Sequence, residues 1–288
     1  MQRCKTATRW LCGVLLTGMV AAVTEAPVNA QGSADPNPGA LTLTAGFDFA
    51  NAYFFRGIPQ DDTGVVMWPY GDLGFGLFSG DGALKSVGVN VGTWNSLHTG
   101  DAGSDGPSGK LWYESDFYTT LALGFGKGTN LGVTYTAYNS PNGMFGTVKE
   151  LSFRVTVDDS GALGRFAARP YALLAQELDG QADGGANEGT YLELGVGPGF
   201  SIPRATVSVP VKVGLSLSDY YEGLTGDETF GFFSVGSVVT VPFTSAPTRF
   251  GSWNIHGGVE FLMLGDRNEA VFGDGSHVIG SIGIGLSY

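Results

Sequence analysis

Three histidines, His98, His256 and His277, are the side chains on which acid–base or nucleophilic chemistry in this 288-residue chain would depend. Such chemistry needs a histidine beside a serine or a carboxylate. His256 and Glu260 share one face of an extended segment, but four residues of strand hold them about 13 Å apart. The His-x-Ser spacing of some membrane-embedded lipid hydrolases does not occur. The sequence therefore predicts no catalytic residue and no enzymatic activity.

Motifs for metals and cofactors are also missing from the sequence. The acidic stretches DAGSDG (101–106) and GDGSH (273–277) could bind calcium, but neither has the D-x-[DN]-x-[DN]-G spacing of a calcium loop. No glycine-rich phosphate loop opens a helical segment. Both cysteines, Cys4 and Cys12, lie near the N-terminus, which leaves no thiol in the rest of the chain. We predict no metal site and no cofactor.

The first 30 residues have the features of an export signal. Basic residues precede an apolar stretch at 10–23, and Ala30 is the small residue that a signal peptidase requires. The apolar stretch is shorter than the ~20 residues of a membrane-spanning helix, so an uncleaved anchor is the weaker alternative. We predict a cleaved signal peptide at 1–30 and a flexible periplasmic leader at 31–40.

The chain is strongly acidic once that signal is removed. It keeps 12 of its 15 Lys and Arg and 26 of its 27 Asp and Glu, a formal charge of −14. Because phosphate binding needs a basic surface, we predict no nucleic-acid partner. The 47 glycines and 19 phenylalanines fit strands joined by tight turns better than helices.

Alternation of apolar and polar residues continues through the rest of the chain, as expected for strands. In ATVSVPVKVGLSLS (205–218), valines and leucines occupy every second position, and Pro210 predicts a bulge or gap because proline cannot donate to a strand ladder. About twelve such segments follow one another. They lie near 41–56, 65–78, 86–97, 111–126, 130–138, 147–158, 165–177, 190–199, 205–218, 229–242, 251–264 and 276–288.

The connections between these segments differ in character. Every second connection, starting with GIPQDDTG (57–64), is longer and mostly polar or acidic. An even number of alternating segments with long loops at one end is typical of a Gram-negative outer-membrane protein. The sequence therefore predicts a single domain at 41–288, an all-β, transmembrane, antiparallel up-and-down β-barrel. A soluble β protein with a core of aromatic residues is the alternative.

In such a barrel the polar side of each strand faces the lumen. The charged residues on that side are predicted to line a pore. They are Asp48, Arg56, Asp72, Glu114, Asp116, Glu150, Arg154, Glu193, Lys212 and Glu260. Arg56 is predicted to pair with Asp72 or Glu114, or to be a solvated charge at the mouth.

The segment SHVIGSIGIGLSY (276–288) alternates up to its final aromatic residue. It looks like the terminal signal by which bacterial outer-membrane barrels are recognised for assembly. That resemblance implies the barrel-assembly machinery as a partner, together with outer-membrane lipid and lipopolysaccharide. The signal residues would be Val278, Ile282, Ile284, Leu286 and Tyr288.

A second resemblance covers residues 45–100. The pattern of Tyr53, Phe55, Arg56, Gly57 and Gln60 resembles the first strand of TorF-type porins, conserved outer-membrane barrels of Gram-negative bacteria. Gly92 and Trp94 resemble a second, Gly-x-Trp motif of that family, and Pro59 stands where its members usually have serine. The resemblance implies a fold and a location more than an activity.

The predicted function is a porin-like channel for passive diffusion of small solutes or ions. Seven acids against three bases on the lumen side favour cations, because charge of one sign concentrates counter-ions. One alternative is a non-conducting structural or surface-interaction barrel, whose lumen is filled by long side chains such as Trp94, Tyr118 and Arg154. A less favoured alternative is a lipid-modifying barrel enzyme that uses His98 or His256.

Overall fold

A computed structural model describes residues 40–104, 110–223, 226–245, 247–272 and 274–288. The predicted signal peptide at 1–30 lies outside the described residues, as does the predicted leader except for its last residue, Ala40. The residues described from 41 onward build one sheet with short additions.

The described residues contain eighteen strands. They are β1 (Leu41–Ala50), β2 (Tyr53–Phe55), β3 (Ile58–Asp61), β4 (Val66–Ser79), β5 (Leu84–His98), β6 (Trp112–Phe125), β7 (Thr129–Asn139), β8 (Val148–Val157), β9 (Tyr171–Asp179), β10 (Thr190–Val196), β11 (Gly199–Ile202), β12 (Ala205–Ser208), β13 (Val211–Ser218), β14 (Glu222–Gly223), β15 (Gly226–Asp227), β16 (Phe230–Pro242), β17 (Ser252–Leu264) and β18 (Ser276–Ser287).

Helices are few and short. The α-helices are α1 (Asp101–Ser104), α2 (Ser160–Leu163) and α3 (Asp266–Phe272), and single 3₁₀ turns occur at Gly126–Gly128, Gly164–Phe166 and Thr248–Phe250. Within the described ranges, none of the helices is long and apolar enough to cross a membrane.

Twelve antiparallel strands close into a barrel. Around the wall the order is β1, β4, β5, β6, β7, β8, β9, β10, β13, β16, β17 and β18, and β18 pairs with β1. Strand β11 follows β10 along the wall, and β12 precedes β13 in the same way. β11 and β12 pair with each other, and β12 also pairs with β16, which completes the wall there. Closure gives each wall strand a hydrogen-bonded neighbour on both sides, so no sheet edge faces lipid. The predicted all-β transmembrane barrel of about 12 strands is confirmed.

Pro210 marks a break in one wall strand. β12 ends at Ser208 and β13 begins at Val211. The carbonyl of Pro210 still accepts the N–H of Gly236 at 2.9 Å, and the N–H of Val209 turns to Pro198 at 2.8 Å. The ladder therefore skips the proline and resumes beyond it, which is the gap that the missing N–H predicts.

The wall has an apolar outer face and a polar inner face. Leu73 and Phe117 are exposed on the outside, while their neighbours Asp72 and Asp116 are buried inside. This is the alternation that a barrel in lipid requires. The predicted terminal signal residues share the outer face of β18 or follow it directly, and whether they are read in assembly stays a prediction. They are Val278, Ile282, Ile284, Leu286 and Tyr288.

Many inner-face glycines make room for an aromatic ring on the next strand. Gly92 lies directly opposite Tyr118, and a Cβ at Gly92 would come within 2.3 Å of the Tyr118 hydroxyl oxygen. Three other pairs have the same arrangement. They are Gly46–Tyr70, Gly195–Tyr171 and Gly214–Phe232. The glycine content of the chain therefore lets rings lie flat against the inner wall.

Two predicted strand ranges were wrong. The first wall strand, expected at 41–56, ends at Ala50 because the chain then leaves the wall. The segment expected at 165–177 forms its strand at Tyr171–Asp179, after α2 and a 3₁₀ turn. Arg169 and Pro170 blur the alternation there, which explains the second error.

The two ends of the barrel carry different connections. We name the end with residues 51–65, 99–111, 140–147, 180–189, 219–229 and 265–275 the long-loop end, and the opposite end the short-turn end. Residues 80–83, 126–128 and 203–204 are tight turns at the short-turn end, but 158–170 and 243–251 are longer. The predicted asymmetry between the two ends is present in weaker form.

Candidate functional site: the inner hairpin and the lumen

A short hairpin folds into the lumen from the long-loop end. It consists of β2, a tip at Arg56 and Gly57, and β3, and we name residues 53–61 the inner hairpin. Arg56 and Gly57 have φ angles of 50° and 78°, the left-handed region that a tight turn needs. A Cβ at Gly57 would lie 2.8 Å from the Cβ of Phe232, so the tip touches the wall at β16.

Arg56 ties the tip to the barrel wall. Its Nη1 and Nη2 atoms donate to the two carboxylate oxygens of Glu150 at 2.6 and 2.8 Å, and Nη1 also donates to the Tyr220 hydroxyl at 2.9 Å. The guanidinium lies 4.4 Å from the centre of the Tyr191 ring. Two parallel charge-assisted bonds with stacking fix both position and orientation. The predicted partners, Asp72 and Glu114, were wrong, because the turn at Ala50 carries Arg56 across the lumen.

The base of the inner hairpin is held by Tyr53. Its hydroxyl donates to Glu114 Oε2 at 2.7 Å, and its ring packs against the rings of Trp68 and Trp94 with centroids 5.7 and 5.5 Å away. Tyr53 is 2% exposed. A tyrosine with a satisfied hydroxyl and close aromatic neighbours is a strong anchor.

A chain of hydrogen bonds joins the end of the inner hairpin to β5. Asp61 Oδ2 lies 3.1 Å from His98 Nδ1, and His98 Nε2 lies 2.7 Å from Ser96 Oγ. Burial alone raises the pKa of the Asp61 carboxyl, but hydrogen bonds from His98 and Thr63 outweigh it and hold that pKa below its usual value.

These three residue types occur together in nucleophilic hydrolase sites. Here Ser96 is fully buried, and its Oγ accepts the Trp68 indole N–H at 3.1 Å. The His98 ring is stacked 4.2 Å from Tyr113. The described residues leave no open approach to the serine oxygen, and we assign the chain of bonds to anchoring β3. The Ser-x-His spacing of Ser96 and His98 is a sequence signal for one contact in this chain of bonds. Asp61 lies on the inner hairpin, so its contact with His98 could not be predicted from the sequence.

The inner hairpin spans the width of the lumen. Phe55 packs on Tyr138 of β7, Phe54 on His277 of β18, and the tip on Tyr191 and Phe232. Strands on opposite sides of the barrel are therefore bridged through it. The residues matched to the first TorF motif all lie on this hairpin, whereas Gly92 and Trp94 of the second motif lie on β5. Those on the hairpin are Tyr53, Phe55, Arg56, Gly57 and Gln60.

Three loops join above the hairpin tip. Arg267 donates to the carbonyls of Glu222 and Asp183 at 2.9 and 2.8 Å, and the Asp183 carboxylate accepts the Glu222 N–H at 2.7 Å. Tyr221, at the start of the middle loop, donates to the Arg56 carbonyl at 2.8 Å. The joined loops therefore position Tyr220 and Tyr221, whose hydroxyls contact Arg56 at the hairpin tip.

Nine of the ten predicted pore-lining residues lie on inward positions of wall strands, and Arg56 lies on the inner hairpin. Several are paired. Lys212 Nζ lies 3.2 Å from Glu260, and Asp48 Oδ1 lies 2.8 Å from His256 Nε2. Glu193 accepts the hydroxyls of Tyr171 and Tyr191 at 2.8 and 2.7 Å.

The lumen cations and the acids of β4 and β6 lie on different sides of the barrel. Asp72 accepts a hydrogen bond from Asn90 through Oδ1, but its Oδ2 has no partner among the described residues, and neither has Asp116 Oδ1. These acids and Glu114 lie on β4 and β6. Arg154 and Lys212 lie on the other side of the barrel, on β8 and β13. The side of β4 and β6 is therefore acidic, whereas the side of β8 to β13 carries two lumen cations together with acids such as Glu150 and Glu193.

A cavity lies against the inner hairpin, and we name it the lumen chamber. Its polar lining includes Arg154, Tyr171, Glu193, Lys212 and Glu260, and the rest of its wall is largely apolar. In the part of the chain that the structure describes, no cluster of three or more His, Cys, Asp or Glu residues could hold a metal ion.

The chain matches no protein-family model and no curated protein. It is similar to an outer membrane channel from Pseudomonas putida F1, with 9% identity and a TM-score of 0.50, over 90% of this chain and 99% of that one. It is also similar to outer membrane phospholipase A from Escherichia coli, with 11% identity and a TM-score of 0.43, over 84% and 92%. At such low identity the likeness is one of fold: this chain has an outer-membrane barrel fold.

Proposed function

We propose that this chain forms an outer-membrane channel for passive diffusion of small solutes or ions, narrowed by its inner hairpin. The observation that carries the proposal is a charged, glycine-rich inner wall in a closed barrel whose outer face is apolar. A barrel filled for stability alone would gain most from apolar packing, because burying charges costs free energy. The lumen chamber provides space beside the charges.

Cation preference is the finer part of the proposal. Arg56 is offset by Glu150 and Lys212 by Glu260. Among the described residues, Asp72, Glu114 and Asp116 have no cationic partner, and they lie together on β4 and β6. In their ionised form these three carboxyls would concentrate cations along that side.

The proposed location and partners follow from the sequence and from the apolar outer face of the barrel. We propose export by a cleaved signal peptide, recognition by the barrel-assembly machinery, and contact of the apolar belt with outer-membrane lipid and lipopolysaccharide. We also propose membership of the TorF-type porins, which the inner-hairpin motif supports. We propose no enzymatic activity, since Ser96 is enclosed.

A non-conducting barrel is the second candidate. The inner hairpin bridges the lumen, and Arg56 is buried in a bidentate pair with Glu150. Removing either partner would leave a buried charge unpaired, so displacing the hairpin is costly. A permanently inserted hairpin favours a structural or surface-interaction role.

Planar-bilayer conductance distinguishes these candidates. The refolded protein would be compared with a variant in which residues 53–61 are replaced by a Gly/Ser linker of equal length. A matched control replaces residues 160–166, an exposed connection at the short-turn end. Folding would be checked by heat-dependent gel mobility, and a salt gradient would give the selectivity.

We expect small, cation-selective steps from the unmodified protein and larger steps from the hairpin variant, with the loop control unchanged. Conduction by the hairpin variant alone would instead support the plugged barrel. Silence from all three folded proteins would overturn the channel proposal.

A further inference from the structure

Arg154 is a buried cation with unsatisfied donors in the wall of the lumen chamber. It is 5% exposed, and its Nε and Nη2 atoms have no hydrogen-bond partner among the described residues. A buried donor left without an acceptor costs free energy, and a charged one costs more. The guanidinium of Arg154 therefore has two nitrogen atoms, Nε and Nη2, whose N–H groups lack a hydrogen-bond acceptor among the described residues.

The carboxylates near Arg154 are already occupied. Both oxygens of Glu193 accept tyrosine hydroxyls, from Tyr171 and Tyr191. Glu260 lies 3.2 Å from Lys212. Neither of these carboxylates therefore accepts a hydrogen bond from Nε or Nη2 of Arg154, although the charge of Glu193 attracts the guanidinium.

The two unsatisfied atoms match the geometry of a carboxylate. In a guanidinium, the Nε–H and one Nη2–H bond point the same way along one edge, and a carboxylate accepts both in parallel. The guanidinium carbon lies 3.8 Å from the centre of the Tyr171 ring, so stacking holds the group by its face. Both atoms are covered by protein, so binding through them requires the guanidinium to leave the face of the Tyr171 ring.

The other walls of the chamber are apolar. Leu173, Phe232, Val238 and Leu262 are buried residues that line it, and Phe54 of the inner hairpin completes this surface. Mostly apolar walls with a few convergent polar groups are the usual makeup of a small-molecule site. A ligand here would carry an apolar body as well as its charged group.

We propose that the lumen chamber binds a small organic carboxylate with an apolar body, its carboxylate held by Nε and Nη2 of Arg154. The site goes beyond the proposed channel function, because binding does not require that the lumen conduct. It also differs from the acidic side of the lumen, which lies on β4 and β6.

Calorimetric titration of the refolded full chain in detergent micelles with sodium benzoate tests the site. Benzamide, which has the same shape without the charge, is the matched probe, and hexanoate covers a chamber too narrow for a ring. We expect saturable binding of benzoate or hexanoate, and binding of benzamide that is weaker by roughly tenfold or more.

The variants R154Q and R154K test whether the guanidinium of Arg154 is the group that binds the carboxylate. R154Q should weaken carboxylate binding by roughly tenfold or more, and R154K should retain part of it, because lysine keeps the charge but not the fork. R165Q is the control, since Arg165 is exposed in a 3₁₀ turn away from the chamber. Gel mobility would show that each variant is folded.

Three results would overturn the proposal: no binding of either carboxylate by the folded protein, equal binding of benzamide, or unchanged binding by R154Q. If R154Q does not fold, the benzoate and benzamide comparison and R154K still decide the matter. Bilayer currents are measured separately, so conduction without binding overturns this site alone, and binding without conduction overturns only the channel.

Discussion

His256 Nε2 and Asp48 Oδ1 lie 2.8 Å apart across Gly283, at the seam where the first and last wall strands meet. Gly283 pairs with Asp48 on β1 and with His256 on β17, so the two side chains meet over a residue that has none. The contact links three strands through one glycine. Barrel closure therefore depends on that position as well as on the backbone ladder.

The variant Gly283→Ala should weaken the seam. A Cβ there would lie 1.8 Å from Asp48 Oδ1 and 2.7 Å from His256 Nε2, so the hydrogen bond cannot persist. We expect the free energy of unfolding in urea to fall by about 1–3 kcal/mol. Gly161→Ala is the control, because a Cβ at Gly161 meets nothing within 4 Å. An equal effect of both substitutions would contradict the role of Gly283.

The variant Glu150→Gln should loosen the inner hairpin, because Arg56 would keep its charge without its partner. Breaking a buried ion pair in this way costs about 3–5 kcal/mol, whereas the double change Arg56→Met with Glu150→Leu should cost much less. Urea unfolding followed by tryptophan fluorescence measures both. Asp179→Asn, which breaks an exposed pair with Lys149, should leave the midpoint unchanged. A double variant less stable than Glu150→Gln would refute this explanation.

Neutralising the acidic side of the lumen should reduce cation preference. In the double variant Asp72→Asn and Asp116→Asn, we expect the cation-to-anion permeability ratio to fall by roughly a factor of two to ten. Reversal potentials in a salt gradient measure this ratio. Asp81→Asn, in an exposed turn between β4 and β5, is the control. A ratio that Asp81→Asn changes as much would assign selectivity to the mouth of the barrel.

The contribution of Asp61 to stability should be lost in acid. Its pKa in the folded protein lies below its usual value of 3.8, and the titratable groups that face it are His98 and Tyr113. The contribution is therefore complete above the unfolded-state pKa of about 3.9 and is lost as pH falls through the folded value.

Measuring unfolding free energies of the wild type and Asp61→Asn across pH tests this. The difference between them should stay constant from about pH 8 to pH 5 and shrink below about pH 4. Ser96→Ala should leave this acid dependence in place, because it keeps the contact between Asp61 and His98. A difference that already shrinks at pH 6 would show that another group controls it.

The barrel itself could be predicted because its physics is local. Period-two alternation reports which side of a strand meets lipid, and it persists at segments such as 205–218 even where Pro210 breaks the ladder. The inward positions of Asp72 and Lys212 followed from parity alone. The pairing of each lumen charge could not be predicted from parity, because its partner lies on another strand.

What the sequence determined by itself was therefore the class of fold and the side of the wall on which each strand residue lies, since both depend on neighbours two positions apart. Tertiary structure alone decided that residues 53–61 leave the wall, that Arg56 reaches Glu150, and that Asp61 meets His98. Residues 53–55 are apolar and extended, as a continuing wall strand would be. Only the enclosed lumen, with room and buried partners for the hairpin, makes the inward path the stable one.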